Sequence, residues 1–288
     1  MLPVRPWLGA WLNKPYRLPH RRFRVWAEDG VPIVGVHIRR AGTDTLLVYA
    51  HGFLSNKNHR AVPRFVEALS TAFDVISFDF RGHGESGGRC SFGAREVLDV
   101  AAVVAHARTL GYCRVVLVGS SMGGAVAIHY AAERDGVDGV VTIGAFDGPD
   151  TLRSPTALVG LRFLFRHPLG HWMAALMRGA RLAHHAPELP RPIEVVERVQ
   201  VPLLFIHGEW DALIKPEAAR RLYARARAPK DVYIVPRKGH DIPLLTPNTA
   251  SVIARWVQRR VVGGEVLTGR AVSSGKPKGR SPSHRPEM

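Results

Sequence analysis

The sequence predicts an α/β fold, a mostly parallel sheet of about eight strands with helices on both faces. Three observations carry this expectation. Short apolar runs alternate with helical stretches along most of the chain. The runs are nearly continuous in apolar residues, the pattern of strands buried on both faces. And the 288 residues, 46% hydrophobic and 22% charged, hold enough apolar material for one large core.

The elements follow in order. Trp7, Leu8, Trp11 and Leu12 fall at helical spacing, while prolines at 3, 6, 15 and 19 keep any helix short. The first reading is a helical turn packed on the body. The sharper alternative is a membrane-touching patch, because aromatic and basic groups adjoin there. Strand-like stretches at 22–28 and 33–39 flank Asp29-Gly30, a hairpin signal, and predict an antiparallel edge. TLLVY (45–49) is a strand, then a helix over 60–70, the strand at 75–78, and a helix over 94–110. VVLVG (115–119), a helix over 122–133 and GVVTIG (139–144) continue the rhythm.

The rhythm breaks over 147–198. Leu158, Leu161, Phe163, Leu164, Phe165, Trp172, Met173, Leu176 and Met177 mix there with Arg and His, without an evident strand. One to three inserted helices are expected. The strand VPLLFIHG (201–208), a helix over 216–225, the strand DVYIV (231–235) and a helix over 248–260 complete the pattern. Residues 264–288, rich in Gly, Ser, Pro, Lys and Arg, are expected to be disordered. The organisation predicted is an extension (1–21), a core domain (22–146 and 199–263), a helical cap insertion (147–198) and a basic tail (264–288).

Composition excludes several classes. The net charge of +16 sits mainly at the ends and in one internal segment: six basic groups and no acid over 1–24, a net +3 over 264–288, and a net +5 over 151–192. No zinc-finger spacing or RNA-binding aromatic motif accompanies it, so no specific nucleic-acid partner is expected. The arginines of 151–192 read first as a solvated face, and second as an attraction for an anionic head group or membrane surface. Two cysteines, Cys90 and Cys113, exclude a disulfide scaffold. No apolar run reaches the ~20 residues of a membrane span. The N-terminus lacks a signal-peptide pattern, so a cytoplasmic location is the expectation. No cofactor and no metal is called for.

The strongest chemical signal is Gly119-Ser120-Ser121-Met122-Gly123-Gly124, between the strand VVLV and the helix AVAIHYAAE. A serine at such a strand–turn–helix junction is forced outward on a strained backbone, with small residues letting strand and helix approach. The helix N-terminus behind Ser121 supplies amides and a positive dipole end for a developing oxyanion. Ser120 competes but falls in the wrong register. Among fourteen histidines, His240 follows the strand DVYIV in a glycine-containing loop and is the candidate base. His129 reads as packed or surface, and His184 with His185 as a surface pair. Asp211, directly after VPLLFIHG, is the acid that would orient the base; Glu209 is its rival, and Asp241 is too close in sequence to His240 for the role. The order Ser, Asp, His matches this triad geometry on an α/β sheet. The backbone amides of Phe53 and Met122 are the candidate oxyanion donors, with His51 supporting the loop. Asp79, Arg81 and His83 are expected to brace that loop through one hydrogen-bond network.

HGF (51–53), DFRGHGES (79–86), GSSMGG (119–124), HGEWD (207–211) and KGH (238–240) together resemble the α/β-hydrolase superfamily, in its order, over roughly residues 30–260. The resemblance implies an α/β-hydrolase fold with Ser121 as nucleophile, Asp211 as acid, His240 as base and Phe53 and Met122 at the oxyanion hole. It implies that 147–198 caps the site. Aspartate-nucleophile branches, the haloalkane dehalogenases and epoxide hydrolases, do not match Ser121. Small bacterial esterases, monoacylglycerol lipases and lysophospholipase-like proteins are similar. The expected partner is a small-molecule ester, lipid included, with an apolar acyl or aromatic part. Perhydrolase, thioesterase, C–C hydrolase and acyltransferase chemistry use the same triad and stay open, as does a binding protein with an idle triad.

Overall fold

A computed structural model describes residues 8–148, 151, 155–184 and 191–263. Trp7, His185 and the tail at 264–288 lie outside them.

One eight-stranded sheet organises the described chain, in the order β1-β2-β4-β3-β5-β6-β7-β8. The strands are β1 (Arg21–Trp26), β2 (Pro32–Ile38), β3 (Thr45–Ala50), β4 (Asp74–Phe78), β5 (Arg114–Ser120), β6 (Gly139–Ile143), β7 (Leu203–Gly208) and β8 (Lys230–Val235). Only β2 runs against the others: it pairs antiparallel with β1 and with β4, and every remaining pair is parallel. The predicted hairpin therefore forms the edge, and its second strand joins β4 rather than β3.

The central strands are apolar throughout because both faces are covered. Leu46 and Val48 of β3, with Val115 and Leu117 of β5, face a core shared with α2 (Glu96–Thr109), α3 (Met122–Glu133) and α7 (Glu217–Arg225). Leu47 and Tyr49, with Val116 and Val118, face the opposite core, filled by Phe65 and Leu69 of α1 (Val62–Leu69) and Ile253 and Trp256 of α8 (Pro247–Val257). The period-two alternation thus divides one strand between two cores. Burying a Leu or Val in either is worth about 1.5–3 kcal/mol.

Between β6 and β7 lie α4 (Pro155–Arg166), α5 (Pro168–Arg178) and α6 (Pro192–Val195). Pro168 starts α5, the His167 ring accepts the Leu169 amide, and Gly179 ends the helix in the left-handed region at φ 63°. Phe165, Ala174 and Leu182 are buried. Val195 and Val196, near the end of the inserted segment, are buried in the core that holds α3. The N-terminal stretch is fastened down: Leu8–Leu12 forms a 3-10 turn, Asn13 bridges to His59, and the buried Tyr16 hydroxyl donates to the Lys57 carbonyl at 2.8 Å. Cys90 is buried and Cys113 exposed, and both are free thiols.

Candidate active site

The site lies where β5, β7 and β8 end. Ser121 sits between β5 and α3 with φ 48° and ψ −115°, a conformation an L-residue holds only under constraint. The constraints are visible. Its amide donates to the Ile143 carbonyl at 2.8 Å, and its own carbonyl accepts the Gly124 amide at 3.0 Å. A Cβ at Gly119 would stand 2.3 Å from the Gly123 carbonyl oxygen, and one at Gly123 would stand 2.2 Å from that of Ala50. Glycine at both positions lets α3 close down on β3 and β5, and the tight junction turns the serine outward.

The loop after β8 brings His240 to this serine. His240 Nε2 is 3.0 Å from Ser121 Oγ, and His240 Nδ1 is 2.7 Å from Asp211 Oδ2. The approach of the two loops depends on Gly208, where a Cβ would stand 2.4 Å from the Lys238 carbonyl oxygen. Asp211 is fully buried. Its Oδ1 accepts the amides of Leu213 (2.9 Å) and Ile214 (2.8 Å). Burial pushes its carboxyl up, but hydrogen bonds from His207 and His240 prevail and hold it well below the ordinary carboxylate range. Glu209 is exposed and accepts the Arg237 amide at 3.0 Å, away from His240.

His207 has no place in the sequence-based reading. It is fully buried at the end of β7, with Nε2 3.1 Å from Asp211 Oδ2 and 3.1 Å from the Ile214 carbonyl oxygen. Both neighbours are acceptors, so Nε2 carries the proton. Asp241 packs against the site from the other side. Burial pushes its carboxyl above the usual range, against the His240 ring and the Ser120 hydroxyl. The Ser120 hydroxyl also lies 3.2 Å from the Tyr49 hydroxyl.

The loop after β3 passes close by: a Cβ at Gly52 would lie 3.3 Å from Ser121 Cβ. Neither the Phe53 nor the Met122 amide donates to a protein acceptor among the described residues. Met122 N–H is one of the unsatisfied donors at the start of α3. The His51 ring holds the loop, donating from Nδ1 to the Gly52 carbonyl at 2.7 Å and accepting the Phe80 amide on Nε2 at 3.0 Å. Asp79 accepts both the Lys57 amide and the Lys57 ammonium at 2.7 Å, and His83 Nε2 accepts the Leu54 amide at 3.3 Å. Burial opposes both charges of the Lys57–Asp79 pair, yet each partner keeps the other ionised, Asp79 below and Lys57 above its ordinary range. Arg81 departs from the expected single network. Its guanidinium binds Asp99 and Asp29, and only its carbonyl joins His83, accepting from Nδ1 at 3.1 Å.

Four phenylalanines adjoin this centre. Phe53 lies 5.0 Å from Phe92 and 5.8 Å from Phe165, and Phe92 stacks on Phe146 at 5.8 Å. Phe165 belongs to α4, so the segment between β6 and β7 reaches the loop that carries Phe53. His129 sits along α3 with Nδ1 3.8 Å from Glu133, and His184 stacks on His171 at 4.9 Å; neither joins the site. No group of three His, Cys, Asp or Glu among the described residues could hold a metal ion. None of the described helices is long and apolar enough to cross a membrane.

Comparison with known proteins agrees with this architecture. The Bacillus subtilis protein YqkD is 29% identical over 220 residues, covering 73% of this chain and 70% of its own. The Pyrococcus furiosus esterase Pf2001 superposes with a TM-score of 0.67 at 23% identity, over 86% of this chain and all of that one. A thermophilic esterase from Thermogutta terrifontis gives 0.62 at 21% identity, over 84% of this chain and 99% of that one. At such identities the solved structures speak for the fold alone. The model of the Alpha/beta hydrolase family matches residues 47–252, which hold most of β3, all of β4 to β8 and all three hydrogen-bonded side chains. With the strand order, the strained turn and this match in hand, the chain belongs to the alpha/beta hydrolase family.

Proposed function

We propose that the protein is a serine hydrolase that cleaves carboxylic esters through an acyl-enzyme. The observation that carries this is the continuous line from Asp211 through His240 to Ser121, with contacts of 2.7 and 3.0 Å. Asp211 holds Nδ1 protonated, which leaves Nε2 free to take the Ser121 proton as Oγ attacks the ester carbonyl. The amides of Phe53 and Met122 receive the oxyanion, each worth ~3 kcal/mol. The proton on Nε2 then passes to the departing alcohol. Water, deprotonated by the same nitrogen, cleaves the acyl-enzyme and regenerates Ser121.

The aromatic group Phe53, Phe92, Phe146 and Phe165 favours an apolar acyl or aryl part in the substrate. Two solved relatives are named esterases, which supports ester hydrolysis as the reaction. The test is a panel of p-nitrophenyl esters from acetate to palmitate, with a monoacylglycerol and a thioester added. Hydrolysis that Ser121→Ala abolishes supports the reading. Ester turnover unchanged in Ser121→Ala, or turnover confined to the thioester, refutes it.

A further inference from the structure

Two segments far apart in the chain build one exposed apolar face. In the 3-10 turn Leu8–Leu12, residues three apart eclipse each other, so Leu8 and Trp11 share a side. They are 63% and 73% exposed. This turn packs beside α5. On α5 the exposed large apolar residues are Leu169, Trp172, Met173 and Met177, whose spacing places them on one stripe. The neighbouring α4 adds Val159 and Phe163, exposed beside Arg162 and Arg166. The inner sides of these helices are already used, by the buried Phe165, Gly170 and Ala174. The outer stripe is therefore surplus to the core, where a solvated helix would carry polar groups.

We propose that this face docks on an anionic lipid surface. Residues 8–19 and 155–184 contain six Lys and Arg and no Asp or Glu. Two segments without acids, carrying exposed tryptophan, leucine and methionine beside arginines, have the chemistry of an interfacial contact. The rings sit at head-group depth and the guanidinium groups meet lipid phosphates. A second copy of the chain fits less well, since a two-fold contact would bring both sets of Arg162 and Arg166 onto one interface with no acid on α4 or α5 to pair them. The docked face would hold α4 at the bilayer, with Phe163 outward and Phe165 inward against Phe53.

Binding is read without substrate, so it stands or falls apart from the hydrolase assignment. Full-length protein is sedimented with vesicles of phosphatidylcholine alone and of phosphatidylcholine with phosphatidylglycerol, and tryptophan emission is followed. The expected result is binding to the anionic vesicles with a blue shift. Trp11→Ser combined with Trp172→Ser weakens it at least ~10-fold at an unchanged melting temperature. Arg162→Gln with Arg166→Gln weakens it too and flattens its salt dependence. Trp26→Ser, at an exposed position on β1, leaves it unchanged. No binding to anionic vesicles overturns the proposal, as does equal binding by the Trp11/Trp172 variant. An equal loss in Trp26→Ser also overturns it, as does a dimer in light scattering that the Trp11/Trp172 variant converts to monomer.

Discussion

Replacing His207 with leucine removes a support that the site hides from solvent. The side chain is fully buried, so leucine fills most of its volume and leaves little cavity. Two hydrogen-bond contacts go, one to Asp211 Oδ2 and one to the Ile214 carbonyl, both at 3.1 Å. A hydrogen bond to a buried charge is worth about 1.5–3 kcal/mol, and an orphaned carbonyl costs about 1–3 kcal/mol. Since one N–H is shared between the two acceptors, the combined loss should be about 3 kcal/mol. That is a large part of the 5–15 kcal/mol typical of a domain. Asp211 keeps the two amides on Oδ1 and His240 on Oδ2 but loses the His207 bond that helps aim Oδ2 at the ring. Ester kcat should fall ~10–100-fold with KM little altered. His207→Gln keeps an N–H and should recover much of both losses. Urea denaturation and p-nitrophenyl ester kinetics on the two variants give the comparison. A leucine variant within ~0.5 kcal/mol of the parent, with parental kcat, would show that His207 is not needed to hold Asp211.

Other perturbations have equally definite outcomes. Gly123→Ala drives a methyl to 2.2 Å from the Ala50 carbonyl oxygen, so α3 must retreat from β3; urea unfolding should show a loss of about 3 kcal/mol, and a loss below ~0.5 kcal/mol refutes the close approach. Acid should destabilise the fold through His51 and His83, which burial holds at about 4 and about 3, against about 6.5 when unfolded. Their contribution is full above pH ~6.5 and is lost as pH falls towards 4, because the unfolded chain takes up protons that the folded one refuses. The loss is about 2 kcal/mol for each by pH 5, and calorimetry finding the same melting temperature at pH 7 and pH 5 would contradict it. Phe165→Ala removes the ring stacked on Phe53, so KM for aryl or long-chain esters should rise ~10-fold while acetate turnover barely changes; a uniform change across the ester panel would separate Phe165 from substrate recognition.

The parts of the fold legible in the sequence are those where one local pattern has one physical meaning. TLLVY and VVLV are apolar without a break because β3 and β5 are covered on both sides, and Asp29-Gly30 marks a hairpin because its turn needs φ above zero, as Gly30 shows at 78°. The strand order was not legible. Nothing local tells β2 to pair with β4, a choice made by packing across the sheet. Within the site, GSSMGG marks its serine because close approach leaves glycine the only fit at 119 and 123. His207 carries no such mark: a histidine ending a buried strand looks the same whether it braces Asp211 or merely packs. Arg81 was legible only in part: its carbonyl meets His83 as its neighbourhood suggests, but the guanidinium partners Asp29 and Asp99 come from other segments that only the folded chain brings together. The outer stripe of α5 was visible as apolar residues mixed with Arg and His. Its exposure, and its contact with the turn at Leu8–Leu12, needed the structure.

The central claim is that Ser121 is activated by His240 and Asp211. The most direct measurement is labelling by a fluorophosphonate, which reacts with a serine only when its hydroxyl is deprotonated beside an oxyanion site. Intact-mass and peptide mapping should show one label per chain, on Ser121. Labelling should be lost in Ser121→Ala and slowed at least ~100-fold in His240→Ala. A label on another residue, or undiminished labelling without His240, would contradict the account.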